Sequence, residues 1–189
     1  MLKHLDEQLT LAINSLNSPF FDVFMSGISG RFIWIPFYAL LMYFLVRQYN
    51  KQIWIKIIFL VILVFMSDQT SVLFKNFFER LRPCHNPEIG HLMHLVNGRC
   101  GGLYGFVSSH ATNVFALATF LFFQMRQRYP WIVWMFLWAA LISYSRVYLG
   151  VHYVGDIIFG ALWGSFVGYV VFRLERFTTD RVFKNNQKN

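Results

Sequence analysis

Charged residues are scarce in this sequence: they make up 14% of its 189 residues, whereas a soluble domain has about 25%. A chain with so few charges has little material for a water-exposed surface, which argues against a soluble globular protein. Apolar residues take their place, since 56% of the chain is hydrophobic and 20% is aromatic. Abundant Phe and Trp suit lipid-facing and interfacial positions, so the composition predicts one membrane-embedded domain.

Acidic residues are the rarer charge, nine against 17 Lys and Arg, and the formal net charge is +8. A basic chain can indicate a nucleic-acid-binding protein, but here the cations form no continuous stripe or basic arm. They lie in short segments between apolar runs, as in membrane proteins that face anionic lipid head groups. We therefore expect the lipid bilayer as a partner, and no nucleic acid.

Long apolar runs recur along the chain and predict an integral membrane helical bundle of the all-α class. A bilayer crossing takes about 20 residues, and the runs that approach this length are residues 32–46, 53–74, 107–125, 131–144 and 153–172. With an interfacial region at residues 1–30 and a long extracytoplasmic loop at 75–106, they form one domain over residues 1–177. Residues 178–189 are polar, and we expect a disordered cytoplasmic tail there.

The first 18 residues do not resemble a cleavable signal peptide. Apolar residues recur among them at helical spacing, which predicts an amphipathic helix lying in the membrane interface; they are Leu2, Leu5, Leu9, Ile13 and Leu16. A helix packed on the flank of the bundle is an equally good interpretation. Whether residues 20–31 cross the membrane stays open.

Three short polar motifs lie where apolar runs end. They are Lys75-x6-Arg82-Pro83, Ser108-Ser109-His110 and Ser145-Arg146-x5-His152-x3-Asp156. Because successive spans alternate in direction, these ends fall on the same side of the membrane. The motifs bring three cations, two imidazoles and one carboxylate to that side. These are the groups that binding and cleaving a phosphoryl group at a bilayer surface requires.

The His-x3-Asp pair has a plainer interpretation when it is taken alone. Asp156 follows His152 by four residues, so the two side chains share a helix face, but a structural hydrogen bond would be the default for such a pair. Glycines at every fourth residue from Gly160 to Gly168 continue that face. They predict close contact with another helix of the bundle, with dimerisation between chains as the rival hypothesis.

The distribution of Lys and Arg predicts the orientation of the chain. Of the 17, ten fall on the side opposite the motifs and seven on the motif side. Three of those seven, Lys75, Arg82 and Arg146, belong to the motifs, and without them the ratio of ten to four places the motif side outside the cytoplasm. Two others, Arg80 and Arg99, are expected to extend to lipid head groups.

The two cysteines, Cys84 and Cys100, both lie in the long loop on the motif side. An even number of cysteines in an oxidising compartment predicts a disulfide. A metal site is the alternative, because three histidines lie between the cysteines, although the spacing matches no short Cys-x2-Cys pattern; these histidines are His85, His91 and His94.

In order and spacing, the three motifs resemble those of the type 2 phosphatidic acid phosphatase family. The family pattern is Lys-x6-Arg-Pro, then Pro-Ser-Gly-His, then Ser-Arg-x5-His-x3-Asp. The first and third match fully, whereas in the second Val107 stands in place of proline and Ser109 in place of glycine. The matched stretch, residues 75–156, covers nearly half of the chain, and the family's helical bundle fits the predicted spans.

The resemblance implies a phosphatase mechanism that uses no metal and no cofactor. His152 is the expected nucleophile, which forms a phosphohistidine, and Asp156 holds it in place. His110 protonates the leaving oxygen and then activates the water that frees phosphate. The residues expected to bind the phosphate are Lys75, Arg82, Ser108, Ser109 and Arg146.

We therefore expect a lipid phosphatase in a bacterial inner membrane, with its active site facing the periplasm. Undecaprenyl diphosphate is the first choice of substrate, and phosphatidylglycerophosphate, phosphatidic acid and lipid A are alternatives. Two other classes stay open: a non-catalytic protein that binds or translocates phospholipid, and a vanadate-dependent haloperoxidase, which the apolar spans disfavour. The sequence leaves the oligomeric state open.

Overall fold

The structure is a computed structural model that describes residues 1–30 and 32–185. Its α-helices are α1 (Leu2–Asn14), α2 (Pro19–Ser29), α3 (Ile35–Tyr49), α4 (Ile53–Phe78), α5 (Ser109–Met125), α6 (Met135–Tyr148) and α7 (Val154–Asn185). Within the described residues no β-strand occurs, and the only β-pairing is a single bridge between Leu81 and Tyr104. The prediction of an all-α helical bundle is confirmed.

Three helical stretches are long and apolar enough to cross a membrane, namely Phe32–Phe78, Pro130–Tyr148 and Val154–Phe183. The first contains two helices, α3 and α4, which part at Asn50, where φ is 39°. The predicted spans therefore correspond to α3, α4, α5, α6 and α7, of which α5 has 17 residues and lies inside the bundle.

The ends of α3, α4, α6 and α7 all lie beyond the predicted ends, and α4 continues to Phe78, which puts Lys75 on the helix rather than in the loop. Helix α6 continues to Tyr148, which puts Arg146 on the helix rather than after it. Helix α7 continues to Asn185, so the expectation of a disordered tail is wrong for residues 178–185, while residues 186–189 lie outside the described part of the chain. The hydroxyl of Thr179 donates to Glu175 on the same helix (2.5 Å), and Glu175 in turn accepts from Lys56 of α4 and Gln124 of α5.

Helix α5 is the centre of the bundle, with α4, α6 and α7 around it. Its residues Ala118 and Phe120 have no solvent exposure at all. Helix α7 approaches it very closely, since a Cβ at Gly164 would clash with the carbonyl oxygen of Thr112, and the other two glycines of the stripe meet the α5 backbone in the same way. The prediction that the glycine face points into the bundle is confirmed.

Helix α1 packs its polar face on the bundle and leaves its leucines exposed. Glu7, Thr10 and Asn14 are buried, and the Asn14 amide donates to the carbonyl of Tyr148 (2.6 Å). The exposed apolar residues are Leu2, Leu5, Leu9 and, just beyond the helix, Leu16. The interpretation of α1 as a helix packed on the flank of the bundle is therefore confirmed, through its polar residues. Its location in the membrane interface stays a prediction, which the exposed leucines favour.

The loop between α4 and α5 folds back on itself at the end of the bundle. Its two arms meet at the bridge between Leu81 and Tyr104, where the Gly105 amide donates to the Arg80 carbonyl (2.8 Å). This pairing fixes the backbone from which Arg80 and Arg82 project toward the helix ends.

Candidate active site

The three motifs meet at one end of the bundle, around a cavity of about 1080 Å³. The predicted site residues on its wall are Lys75, Arg82, Ser109, His110, Arg146 and His152. Both imidazoles therefore face the same cavity. Two other predicted residues, Ser108 and Asp156, are completely buried behind this wall.

His152 and Asp156 form a buried hydrogen-bonded pair. The ring Nδ1 of His152 lies 3.3 Å from Asp156 Oδ2, which also accepts from the amide of Tyr153 (3.0 Å). Because an ionised carboxylate only accepts, Nδ1 carries the proton of a neutral ring and the lone pair is on Nε2. The Nε2 atom lies 3.4 Å from Nη1 of Arg82, a permanent donor. The arrangement presents an unprotonated ring nitrogen whose lone pair faces a fixed cation.

The charge state of His152 is set by its surroundings. Burial lowers the pKa of His152 to about 4; Asp156 opposes this shift, and the nearby cations Arg82 and Arg146 add to it. The imidazole is therefore neutral at pH 7, which is the form required of a nucleophile.

Three buried polar atoms around the cavity have no hydrogen-bond partner within the described residues: Nε of Arg82, Nε of Arg146 and the hydroxyl of Ser108. Each arginine is held at another atom, because Arg82 Nη1 donates to the carbonyl of Val151 (3.1 Å) and Arg146 Nη1 donates to Ser29 Oγ (2.5 Å). Burial also lowers the pKa of Arg82, with Asp156 opposing the shift. Unpaired buried donors are costly, so this cluster is suited to an anion that would pair with them.

Ser109, which replaces the family's glycine, contacts a neighbouring cation. Its hydroxyl accepts a hydrogen bond from Lys75 and lies 2.6 Å from the hydroxyl of the fully buried Ser71. The serine thus fixes the position of the Lys75 ammonium on the cavity wall. The start of α5, where Ser109 and His110 lie, also turns its N-terminus to the cavity, which favours a negatively charged ligand.

The structure does not place the Ser108 side chain on the cavity wall. Its backbone amide instead donates to the carbonyl of Asp156 (3.1 Å), and so links the start of α5 to the start of α7. The expectation that Ser108 binds phosphate stays a prediction.

Sequence reasoning was wrong about Arg80. Rather than extending to lipid head groups, it donates from Nη1 to Asp156 Oδ1 (2.9 Å) and from Nη2 to Asp6 of helix α1 (2.7 Å). The guanidinium also lies 3.9 Å from the ring centre of Tyr153. The other oxygen of Asp6 accepts from the amide of Gly155, at the start of α7 (2.8 Å). No spacing rule predicts this chain of contacts, because its members come from three distant segments.

The loop cysteines Cys84 and Cys100 are joined by a disulfide with a Cα separation of 6.0 Å. His85 lies beside them, and its Nε2 is 3.5 Å from the carbonyl of Gly101. His94 instead pairs with Asp22 of helix α2 (2.8 Å). His85 and His94 therefore point to different parts of the molecule, and sulfur atoms bonded to each other are not available as thiolate ligands.

Comparison with protein families gives a match over most of the chain: the sequence profile described as "PAP2 superfamily" matches residues 55–180. A lipid A 4'-phosphatase of Bacteroides thetaiotaomicron is 39% identical over 96% of this chain and 81% of its own length. A lipid A 4'-phosphatase of Porphyromonas gingivalis is 35% identical over 93% and 75%. An undecaprenyl-diphosphatase of Sulfolobus acidocaldarius is 30% identical over 81% and 68%.

Two solved structures share the fold. A transmembrane PAP2-type phosphatidylglycerolphosphate phosphatase from Bacillus subtilis superposes with a TM-score of 0.71 at 21% identity, covering 93% of this chain and 86% of that one. LpxE of Aquifex aeolicus gives a TM-score of 0.66 at 24% identity, covering 88% and 93%.

Proposed function

The chain belongs to the PAP2 superfamily and is a membrane lipid phosphatase, and we propose that it removes the 4'-phosphate of lipid A. The extent of the similarity supports this choice most directly. The two relatives named lipid A 4'-phosphatases resemble this chain over more than nine-tenths of its length, well beyond the motifs at residues 75–156. A phosphate on a sugar that also carries acyl chains suits a cavity with a cationic end and an apolar wall.

The phosphate is bound by the side chains of Lys75, Arg82 and Arg146. The unpaired Nε–H groups of the two arginines take phosphate oxygens as acceptors when substrate binds, and the Lys75 ammonium is already oriented by Ser109. These cations stabilise the charge on the equatorial oxygens as the transition state forms.

The reaction proceeds in two displacements at phosphorus. First, the Nε2 lone pair of His152 forms a bond to phosphorus, the phosphorus–oxygen ester bond breaks, and His110 donates a proton to the leaving sugar oxygen. Second, His110 takes a proton from water, the resulting hydroxide attacks phosphorus, and the nitrogen–phosphorus bond breaks to release inorganic phosphate. Asp156 accepts from Nδ1 throughout and stabilises the positive charge that develops on the ring.

The lipid tails lie against the apolar wall of the cavity. This wall is formed by residues of α3 and α4 and the turn before α3, among them Trp34, Met42, Leu60, Val61 and Phe65. Val61 and Phe65 are also 65% and 66% exposed, so the wall is continuous with the surface that faces lipid. A substrate therefore enters sideways from the bilayer, and its tails need not leave the lipid.

The active site faces the periplasm. Two observations support this orientation: the excess of Lys and Arg on the opposite side of the spans, and the disulfide between Cys84 and Cys100 next to the site. The protein lies in a bacterial membrane, and the outward orientation gives the site access to lipids of the outer leaflet.

Undecaprenyl diphosphate is the second candidate substrate. The relative from Sulfolobus acidocaldarius with the name undecaprenyl-diphosphatase supports it, over a smaller share of the chain than the first two relatives.

The test is phosphate release from a panel of lipids by the purified protein in detergent. We expect the highest kcat/KM for lipid A, with mass spectrometry showing loss of the 4'-phosphate, inhibition by vanadate and no effect of a chelator. A higher kcat/KM for undecaprenyl diphosphate, phosphatidic acid or phosphatidylglycerophosphate, or loss of the 1-phosphate instead, would overturn the proposal.

A further inference from the structure

The cavity wall carries polar side chains that the proposed phosphate chemistry does not use. Asp68 and Gln69 of α4 and Asn113 of α5 all line the cavity. Asp68 stands in the middle of the apolar helix Ile53–Phe78, within a stretch long and apolar enough to cross a membrane. An ionisable residue in such a helix is costly and marks a functional site by default.

The contacts of these side chains leave hydrogen-bonding groups for a ligand. The amide oxygen of Asn113 accepts from the buried Ser67 hydroxyl (2.7 Å), which fixes its orientation and leaves its NH₂ group as a donor. Across residues 1–30 and 32–185, the Asp68 carboxylate has no hydrogen bond or ion pair. Within this described part of the chain, it is an acceptor on the cavity wall without a donor.

The positions of these groups follow from helix geometry. Asp68 precedes Lys75 by seven residues on the same face of α4, which is a distance of about 10 Å along the axis. Asn113 follows Ser109 by four residues on α5, which is about 6 Å. Leu60, a further two turns down α4 from Asp68, again lines the cavity. The wall thus changes from cationic to polar to apolar with increasing distance from the nucleophile.

We propose that Asp68, Gln69 and Asn113 form a subsite for the sugar ring that carries the phosphate. The inference rests on the proposed function and deepens it, because it assigns residues to the part of the substrate between the phosphate and the acyl chains. A carboxylate that accepts from O–H and N–H groups, beside amide groups that both donate and accept, matches the hydroxyl and amide groups of an acylated amino sugar.

The same subsite would select against other lipid phosphates. In a polyprenyl diphosphate the phosphate group joins hydrocarbon directly, and in phosphatidic acid the glycerol is esterified, so neither offers an O–H or N–H donor at this distance. Binding either lipid would remove Asp68 from water without giving it a partner. Sites with buried polar groups reject ligands that leave those groups unpaired.

The experiment compares Asp68→Ala with wild type on three lipids: lipid A that bears the 4'-phosphate, phosphatidic acid and farnesyl diphosphate. We expect Asp68→Ala to lower kcat/KM for lipid A by about 10- to 100-fold, and to leave kcat/KM for the other two unchanged or raised. Asp180→Ala, which removes an exposed carboxylate that does not line the cavity, is the matched control and should leave all three values unchanged.

An equal loss on all three lipids would overturn the subsite, because Asp68 would then act on the phosphate site or on folding. Asn113→Ala provides a second variant with the same expected selectivity, should Asp68→Ala fail to fold. The wild-type values alone test the proposed function: if phosphatidic acid or farnesyl diphosphate is a better substrate than lipid A, both proposals fail. A wild-type preference for lipid A that survives unchanged in Asp68→Ala overturns only the subsite.

Discussion

Helices α4 and α7 share two polar clusters, one at each end of the bundle. The two clusters differ in how many of their hydrogen-bonding groups have a partner within the protein. The site cluster surrounds Asp156 and Lys75, and the Glu175 cluster comprises Lys56, Glu175, Gln124, Thr179 and Tyr49. Lys56 and Lys75 are nineteen residues apart on α4, as are Asp156 and Glu175 on α7. This spacing corresponds to about 28 Å, close to the thickness of the hydrocarbon core.

In the Glu175 cluster, both carboxylate oxygens have hydrogen-bond partners within the protein. One carboxylate oxygen of Glu175 accepts from Lys56 and from Thr179, and the other accepts from Gln124. Tyr49 donates in turn to Gln124 (2.8 Å) and lies beneath the Lys56 ammonium. A buried ion pair with its hydrogen bonds made holds helices together and has nothing left for a ligand.

The site cluster is open, because Arg82 and Arg146 keep unpaired Nε–H groups and His152 keeps an unprotonated nitrogen. The comparison shows that burial of charge alone does not distinguish a structural cluster from a functional one. The distinguishing feature is the set of hydrogen-bonding groups without a protein partner beside a cavity.

The largest effect is expected for His152→Ala, which removes the proposed nucleophile. Phosphate release from lipid substrate should fall by about 10⁴-fold or more, equal to about 5 kcal/mol of transition-state stabilisation. His91→Ala, which changes an exposed histidine of the loop, is the matched control and should keep wild-type turnover. Turnover near the wild-type value in a folded His152→Ala protein would contradict the role of His152.

Glu175→Ala should act on stability and spare catalysis, in contrast to His152→Ala. The substitution leaves the Lys56 ammonium buried without its partner, and we expect the free energy of unfolding to fall by about 3 kcal/mol. Chemical unfolding in detergent measures this loss, while kcat per folded molecule should stay unchanged. The double variant Lys56→Met/Glu175→Leu should recover most of the stability; a lower kcat with unchanged stability would show that the cluster is not structural.

Arg80→Ala should give an intermediate effect, because Arg80 acts through Asp156 and does not line the cavity. We expect kcat to fall by about 10- to 100-fold with KM nearly unchanged, since the hydrogen bond of an ionised pair contributes about 1.5–3 kcal/mol. Asp6→Asn should show the same pattern with a smaller loss, and the exposed Arg99→Ala is the matched control. A raised KM with unchanged kcat would mean that Arg80 binds substrate directly.

The smallest effect, counted per pH unit, concerns the pH dependence of stability and again involves His152. With its pKa lowered to about 4 from 6.5, the folded protein binds fewer protons than the unfolded chain between these two values, so stability falls as the pH drops through this window. The slope from this group is at most about 1.4 kcal/mol per pH unit. The unfolding free energies of wild type and the non-titrating His152→Asn should diverge by this slope below pH 6.5 and run parallel above it; parallel curves throughout would contradict the shift.

The helices and the chemistry of the motifs could be predicted because their signals are local. Apolar run length gave the positions of α3 to α7, and the four-residue spacing of His152 and Asp156 placed them together. The end of α7 was missed because residues 178–189 are largely polar, whereas in the structure Thr179 is buried and donates to Glu175 one turn before it.

Arg80 and Arg99 had the same expectation, contact with lipid head groups, but the partners of Arg80 lie 74 and 76 residues away along the chain and could not be predicted. In the structure Arg80 contacts Asp6 and Asp156, whereas Arg99 is exposed. The pairing of the loop arms at Leu81 and Tyr104 places Arg80 beside its partners. Likewise, the sequence showed that Ser109 replaces a glycine, but not that its hydroxyl would meet Lys75.

The sequence by itself determined that this chain is an all-helical membrane protein with phosphatase motifs on one side, because hydropathy and short-range spacing depend only on neighbouring residues. The tertiary structure decided which charges are paired. Asp6, Arg80 and Asp156 lie in three separate parts of the chain, and hydrogen bonds extend only about 3 Å, so only the packing of α1, the loop and α7 could bring them together. Among the residues that the structure describes, the same packing leaves the Asp68 carboxylate without a hydrogen-bond partner on the wall of the cavity.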